Sequence, residues 1–223
     1  MAKNHIVKSY DQDLKSLKIK ILEMGTACGH QLSEAVKSLK SRDHELAKKV
    51  IADDTIVNAH QHEVEQLTIN LLAKRQPLAI DLRNVVASLK MASDLERIAD
   101  YAANIARHVT ELNGIVFDDT INIIFDMADH ALTMLKDALE SYQELNIEKA
   151  VHIWRLDSEI NRGYENLIEG LRTIMSKQTG KIRGATALLF IGRSCERIGD
   201  HIKNIAEHIH YIVTGTSDIR DSI

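Results

Sequence analysis

Proline is nearly missing from this chain: Pro77 stands alone among 223 residues. Helices can therefore run long, and the single exception marks a place where one must end. Aromatic residues make up only 4% while helix formers dominate, which is the composition of an all-α protein. Cysteine is equally scarce. Cys28 and Cys195 lie far apart with no metal-type spacing, and each falls on an apolar helix face. That excludes a disulfide framework and reads as two buried thiols in a reducing compartment. No apolar run approaches the roughly 20 residues that a membrane span requires. The opening MAKNHIVKSYDQDLK is too polar for a secretory signal, so a cytoplasmic location is expected. A formal charge of −4 gives no electrostatic case for nucleic acid as a partner. Neither a P-loop, nor a nucleophile elbow, nor a glycine-rich dinucleotide turn is present.

What the chain does have is a repeat. Residues 96–110 read ERIADYAANIARHVT and residues 196–210 read ERIGDHIKNIAEHIH, with eight of fifteen positions identical. A repeat of this kind means that one supersecondary unit is used twice. Apolar residues at steps of three and four place helices over about 10–39, 43–74, 78–112, 119–142, 146–175 and 182–214. Asp43, Asp118-Asp119 and Asn146 are suited to cap helix starts. Asn113-Gly114 and Gly215 are suited to stop helices, and the final TSDIRDSI reads as a frayed tail. The predicted architecture is all-α: two tandem, sequence-related three-helix bundles packed side by side, spanning 1–113 and 114–223. Gly25 and Gly29, one turn apart, would let a neighbouring helix approach closely. Interior glycines gather in the second half, which should be either more closely packed or more mobile.

Glu96 and Asp100 lie one helical turn apart on one face, as do Glu196 and Asp200. Like charges at that spacing are mildly destabilising, so a matched second copy needs a reason. One helix earlier stand Asp54-Thr55-Ile56-Val57-Asn58 and Asp157-Ser158-Glu159-Ile160-Asn161, both of the form D-x-x-[VI]-N. In an antiparallel hairpin, residues equidistant from the turn lie level. Asp54/Asp100 and Asn58/Glu96 share the midpoint 77, which is the proline turn; Asp157/Asp200 and Asn161/Glu196 share 178.5, inside the second turn. Each hairpin should thus bring three carboxylates and one amide oxygen together, displaced from the core toward a surface. Such a group cannot stay fully ionised without a compensating cation or a raised pKa. Oxygen donors suit hard or borderline cations such as Mg²⁺, Mn²⁺ or iron. Arg97 and Arg197 offer the alternative, an ion-pair network without metal, and the pattern alone leaves both open.

His108 and His208 recur at matched positions, either as outer ligands or as solvated residues facing a helix C-terminus. His60 and His62 have no counterparts and are left outside the site. A di-iron oxidase would need Glu-x-x-His on two helices, and only Glu207-x-x-His210 fits.

Helical repeats carrying E-R-I-[GA]-D, each preceded one helix earlier by D-x-x-[VI]-N, resemble the PhoU family. The likeness covers nearly the whole chain, including Lys74-Arg75-Gln76-Pro77 followed by Asp81-Leu82-Arg83. It implies two similar three-helix bundles, often dimeric, with surface metal clusters (iron, Mn²⁺ or Mg²⁺) at the paired acidic motifs. By matching position these metal sites fall to Asp54, Asn58, Glu96 and Asp100, and to Asp157, Asn161, Glu196 and Asp200. Asn58 and Asn161 stand where a full acid pair would have a second carboxylate, so each site here is less negative. The resemblance further implies a cytoplasmic, non-enzymatic negative regulator of phosphate uptake and of the phosphate-starvation (Pho) regulon. It would act as an adaptor between the ATPase subunit of a Pst-type phosphate ABC transporter and a PhoR-type sensor histidine kinase.

Overall fold

The computed structural model describes residues 8–112, 119–216 and 218–222. Six helices carry the fold: α1 (Lys8–Ser41), α2 (His44–Arg75), α3 (Ala79–Val109), α4 (Thr120–Glu144), α5 (Ile147–Lys177) and α6 (Ile182–Thr214). Each run of three forms an antiparallel bundle. On α1, Leu17, Ile21, Met24, Cys28, Leu32, Ala35 and Leu39 are all buried, at the three-and-four spacing that keeps one stripe facing inward.

Helix ends follow local chemistry. Asp43 is extended and its side chain accepts from the backbone N–H of Glu45 and Leu46; Asn146 does the same for Lys149. Gln76 leaves α2 in the left-handed region just before Pro77. Gly215, with φ of 82°, closes α6. Two expectations change. Asp119 has helical backbone and makes no capping bond to α4, because a cap must be extended to aim its carboxylate at the first free amides. The tail is docked rather than frayed: residues Ile219–Ser222 form a 3₁₀ turn and Ile219 is 1% exposed. Its apolar side chain finds cover beside α6. The expected stop at Asn113-Gly114 and the Asp118 cap lie outside the described residues.

The halves join through α3 against α6 and α1 against α4. Pairings of Arg83 with Ile212, Asp94 with His208 and His108 with Phe190 show that α3 and α6 run in opposite directions. Both helices are therefore buried on two sides, one by their own bundle and one by the other repeat. Between α1 and α4 the approach is close: a Cβ at Gly25 would fall 2.3 Å from Leu139 Cδ2. In the second half the interior glycines mark tight packing, since a Cβ at Gly192 would fall 2.1 Å from Leu167 Cδ2. Tyr142 adds a buried polar link, its hydroxyl 2.9 Å from Ser88 Oγ on α3. Both cysteines are buried thiols. Burial pushes the Cys195 thiol up to about 12.

Candidate functional site

The first candidate set lies where α2 and α3 face one another above the proline turn. Asp54 and Asn58, one turn apart on α2, are half-buried, and Asn58 Nδ2 donates to Asp54 Oδ2 at 3.3 Å. Across on α3, the Arg97 guanidinium spans Glu96 (Nε to Oε2, 3.5 Å) and Asp100 (Nη1 to Oδ2, 3.1 Å). The Glu96 carboxyl is held above its usual range. Burial is the main cause, with the charges of Asp100 and, from α2, Asp54 adding to it against Arg97. Asp54 and Glu96 thus act on each other across the hairpin.

The second set repeats the plan with different detail. Asn161 Nδ2 donates to Asp157 Oδ2 at 2.9 Å, and Arg197 spans Glu196 at 3.5 Å and Asp200 at 2.8 Å. Glu196 is raised by burial first, then by Asp200 and Asp157, with Arg193 and Arg197 opposing. Asp157, however, is 1% exposed where Asp54 is half-buried. The cover from Lys203 and position 199 both contribute. A Cβ there would sit 3.1 Å from Ile160 Cδ1 and 3.2 Å from Asp157 Oδ1, so glycine lets α5 settle onto α6; the first half has Ala99 instead.

In each repeat the Asp and Asn of one helix bond to each other, an arginine bridges the Glu and Asp of the next, and the two helices' carboxylates act on one another through the Glu. Among the described residues, no three His, Cys, Asp or Glu side chains already converge as ligands on one point. Their oxygens are turned instead toward Arg97, Arg193, Arg197 and Lys203. Arg97 is mostly solvent-exposed, and an exposed pair of this kind is worth only about 0–1 kcal/mol. A cation could displace it at small cost.

Sequence reasoning missed three participants in the sets and one polar contact between the repeats. Gln31 reaches in from α1, 4% exposed, with Nε2 3.3 Å from Asp54 Oδ1 and its Oε1 lacking a hydrogen-bond partner. Lys203 Nζ stands 3.0 Å from Asp157 Oδ2, and Arg193 Nη1 stands 3.1 Å from Glu196 Oε1. Asp94, a buried acid on α3, binds His201 Nδ1 at 2.8 Å, His208 Nε2 at 3.0 Å and Asn204 Nδ2 at 3.2 Å, all on α6. His208 is thus a clasp between repeats, while His108 stacks on Phe190 and pairs with Glu111. The available signal was a mismatch within the repeat: Asp94 answers to Ser194, and Lys203 to Ala103.

A family model described as the PhoU domain matches the chain twice, over residues 21–109 and 124–209. The chain belongs to the PhoU family. A PhoU homolog of Clostridium acetobutylicum, described as a phosphate-specific transport system accessory protein, is 34% identical over 216 residues. That match covers 96% of this chain and 99% of the relative. The Escherichia coli (strain K12) PhoU is 34% identical over 211 residues, covering 95% and 88% respectively. Among solved structures, PhoU from Streptococcus pneumoniae superposes with a TM-score of 0.88 at 31% identity, covering 94% of this chain and 99% of that one. PhoU from Pseudomonas aeruginosa gives 0.89 at 30% identity, covering 93% and 100%. PhoU proteins are regulatory accessory proteins rather than enzymes, and this chain has a regulatory role in phosphate transport.

Proposed function

We propose that this chain restrains phosphate uptake when phosphate is plentiful. It would do so as a cytoplasmic adaptor between the ATPase subunit of a Pst-type transporter and a PhoR-type sensor kinase, holding the phosphate-starvation (Pho) regulon off. The observation that carries the reading is the doubled PhoU domain across nearly the whole chain, on a fold that superposes on solved PhoU proteins. Long helices with polar outer faces supply docking area, and no described helix is long and apolar enough to cross a membrane. The working form would be a homodimer.

At least one of the two repeated carboxylate sets would take a hard cation: Mg²⁺, Mn²⁺ or iron. The donors fit that group. Asp54, Glu96 and Asp100 offer carboxylate oxygens and Asn58 an amide oxygen, while the buried Gln31 amide, bonded to Asp54 through Nε2, leaves its Oε1 without a hydrogen-bond partner. When bound, the ion would supply charge that lets the clustered carboxylates stay ionised. An ion-pair network without metal is the competing reading, favoured by the bonds Arg97 and Arg197 already make.

The test is a starvation-reporter strain whose own PhoU is deleted. Expression of this chain should silence the reporter at high phosphate and co-purify the transporter's ATPase subunit; an active reporter and a clean pull-down would refute the adaptor role. Removal of metal by chelation should lower the melting temperature, because a ligand of the native state stabilises it. An unchanged value would favour the ion-pair network.

A further inference from the structure

We propose that the two carboxylate sets are inequivalent: Lys203 is the resident cation of the second, and only the first is open to a divalent ion. The proposal rests on the metal reading above and narrows it to one repeat.

Charge balance separates the two sets. In the first, a single guanidinium, Arg97, pairs with Glu96 and Asp100, while Asp54 accepts only from the neutral amides of Gln31 and Asn58 among the described contacts. His201, on α6, has its ring bonded to Asp94 rather than to a carboxylate of the set. In the second, Asp157, Glu196 and Asp200 face three cations: Lys203, Arg193 and Arg197. One repeat earlier, the positions of Lys203 and Arg193 hold Ala103 and Ser93. The first set is therefore left short of positive charge, and the second is neutralised by its own side chains.

Lys203 is also held in place. Its ammonium lies 4.8 Å from the centroid of the Trp154 ring, and Trp154 Nε1 donates to Glu207 Oε1 at 2.9 Å. Asp218, Ile219 and Arg220 of the docked tail border the same hollow. None of this recurs in the first half, where Ile51 and Arg107 stand at the levels of Trp154 and Glu207. Asp157 Oδ1 has no hydrogen-bond partner, yet it faces the backbone at Gly199, where even a methyl would be crowded. At the first set, by contrast, Gln31 stands 4% exposed beside Asp54, its Nε2 donating to Asp54 Oδ1 at 3.3 Å and its Oε1 unpartnered, so a neutral amide takes the place that Lys203 fills in the second.

Equilibrium dialysis of the full chain against Mn²⁺, followed by elemental analysis, decides the matter. The wild type should retain a single ion per chain. Asp54→Asn with Asp100→Asn should lose it, and Asp200→Asn should keep it. Lys203→Met should gain a second ion and show a larger rise in melting temperature with Mn²⁺ than the wild type, whereas Lys203→Arg should behave as the wild type. Should Lys203→Met fail to fold, the carboxamide variants still decide which set is occupied. Two ions on the wild type, or loss of the ion in Asp200→Asn alone, would overturn the inequivalence while leaving the metal reading intact. An ion on Lys203→Met only would overturn the openness of the first set. No ion on either protein would remove the metal reading and this proposal together.

Discussion

Asp94→Ala cuts the clasp between the repeats while leaving every residue of the two carboxylate sets in place. In the native chain one buried carboxylate accepts three hydrogen bonds, from His201, His208 and Asn204. Bonds to a charged group contribute roughly 1.5–3 kcal/mol each, and taken alone three would suggest about 5–9 kcal/mol. Two considerations reduce this. The side chains of His201 and His208 are about one-fifth exposed, so water can replace the lost acceptor. Alanine also gains roughly 0.5 kcal/mol of helix propensity over aspartate. A net loss of about 3 kcal/mol is expected, which for a chain of this size lowers the melting temperature by roughly 6–12 °C. Asp94→Asn keeps the shape and part of the bonding and should lose less. The pH dependence has a definite sign. Burial works against the ionised Asp94, but the bonds from His201, His208 and Asn204 outweigh it and hold the carboxyl below its ordinary range. A depressed carboxyl contributes stability that is present above the unfolded pKa of about 4 and lost as pH falls through the lower native value. Calorimetry of wild type and Asp94→Ala at pH 7 and pH 3 reads both. A drop under about 2 °C at pH 7, or an equal gap at pH 3, would refute the clasp and the energies assigned to it.

Three further outcomes follow from the packing. Tyr142→Phe should cost about 1 kcal/mol at neutral pH by removing the bond to Ser88. Burial pushes the Tyr142 hydroxyl up to about 12, so the wild type should lose stability between about pH 10 and 12, more steeply than the variant; urea titrations at pH 7 and 11 compare them. Ile219→Ala removes a side chain that is 1% exposed, and at about 2 kcal/mol it should lower the urea midpoint, whereas a truly frayed tail would show no change. Asp43→Ala deletes both capping bonds at the start of α2 and should destabilise by about 1 kcal/mol, with Asp43→Asn near neutral in the same assay.

Much of the molecule was legible from periodicity. Hydrophobic residues at steps of three and four placed the six helices, and Asp43, Asn146, Pro77 and Gly215 marked their ends because each acts on backbone within a few residues. The midpoint relation about Pro77 predicted that Asp54 and Asn58 would meet Glu96 and Asp100, since two helices joined by a tight turn have only one antiparallel register. Asp119 went astray because a capping residue type does not guarantee the extended backbone that capping needs.

What only the tertiary structure decided concerns contacts between segments with no tight turn to set their register. That Asp94 would meet His201 and His208 depends on how α3 crosses α6, and that Gln31 would reach Asp54 depends on how α1 lies along α2. The depth of Asp157 depends on Gly199 admitting α5, and the closure around Trp154 and Lys203 depends on the tail folding back. Local spacing fixes which residues share a helix face. Which neighbour then covers that face is settled by the packing of all six helices at once, and there two sequence-related halves became physically unlike.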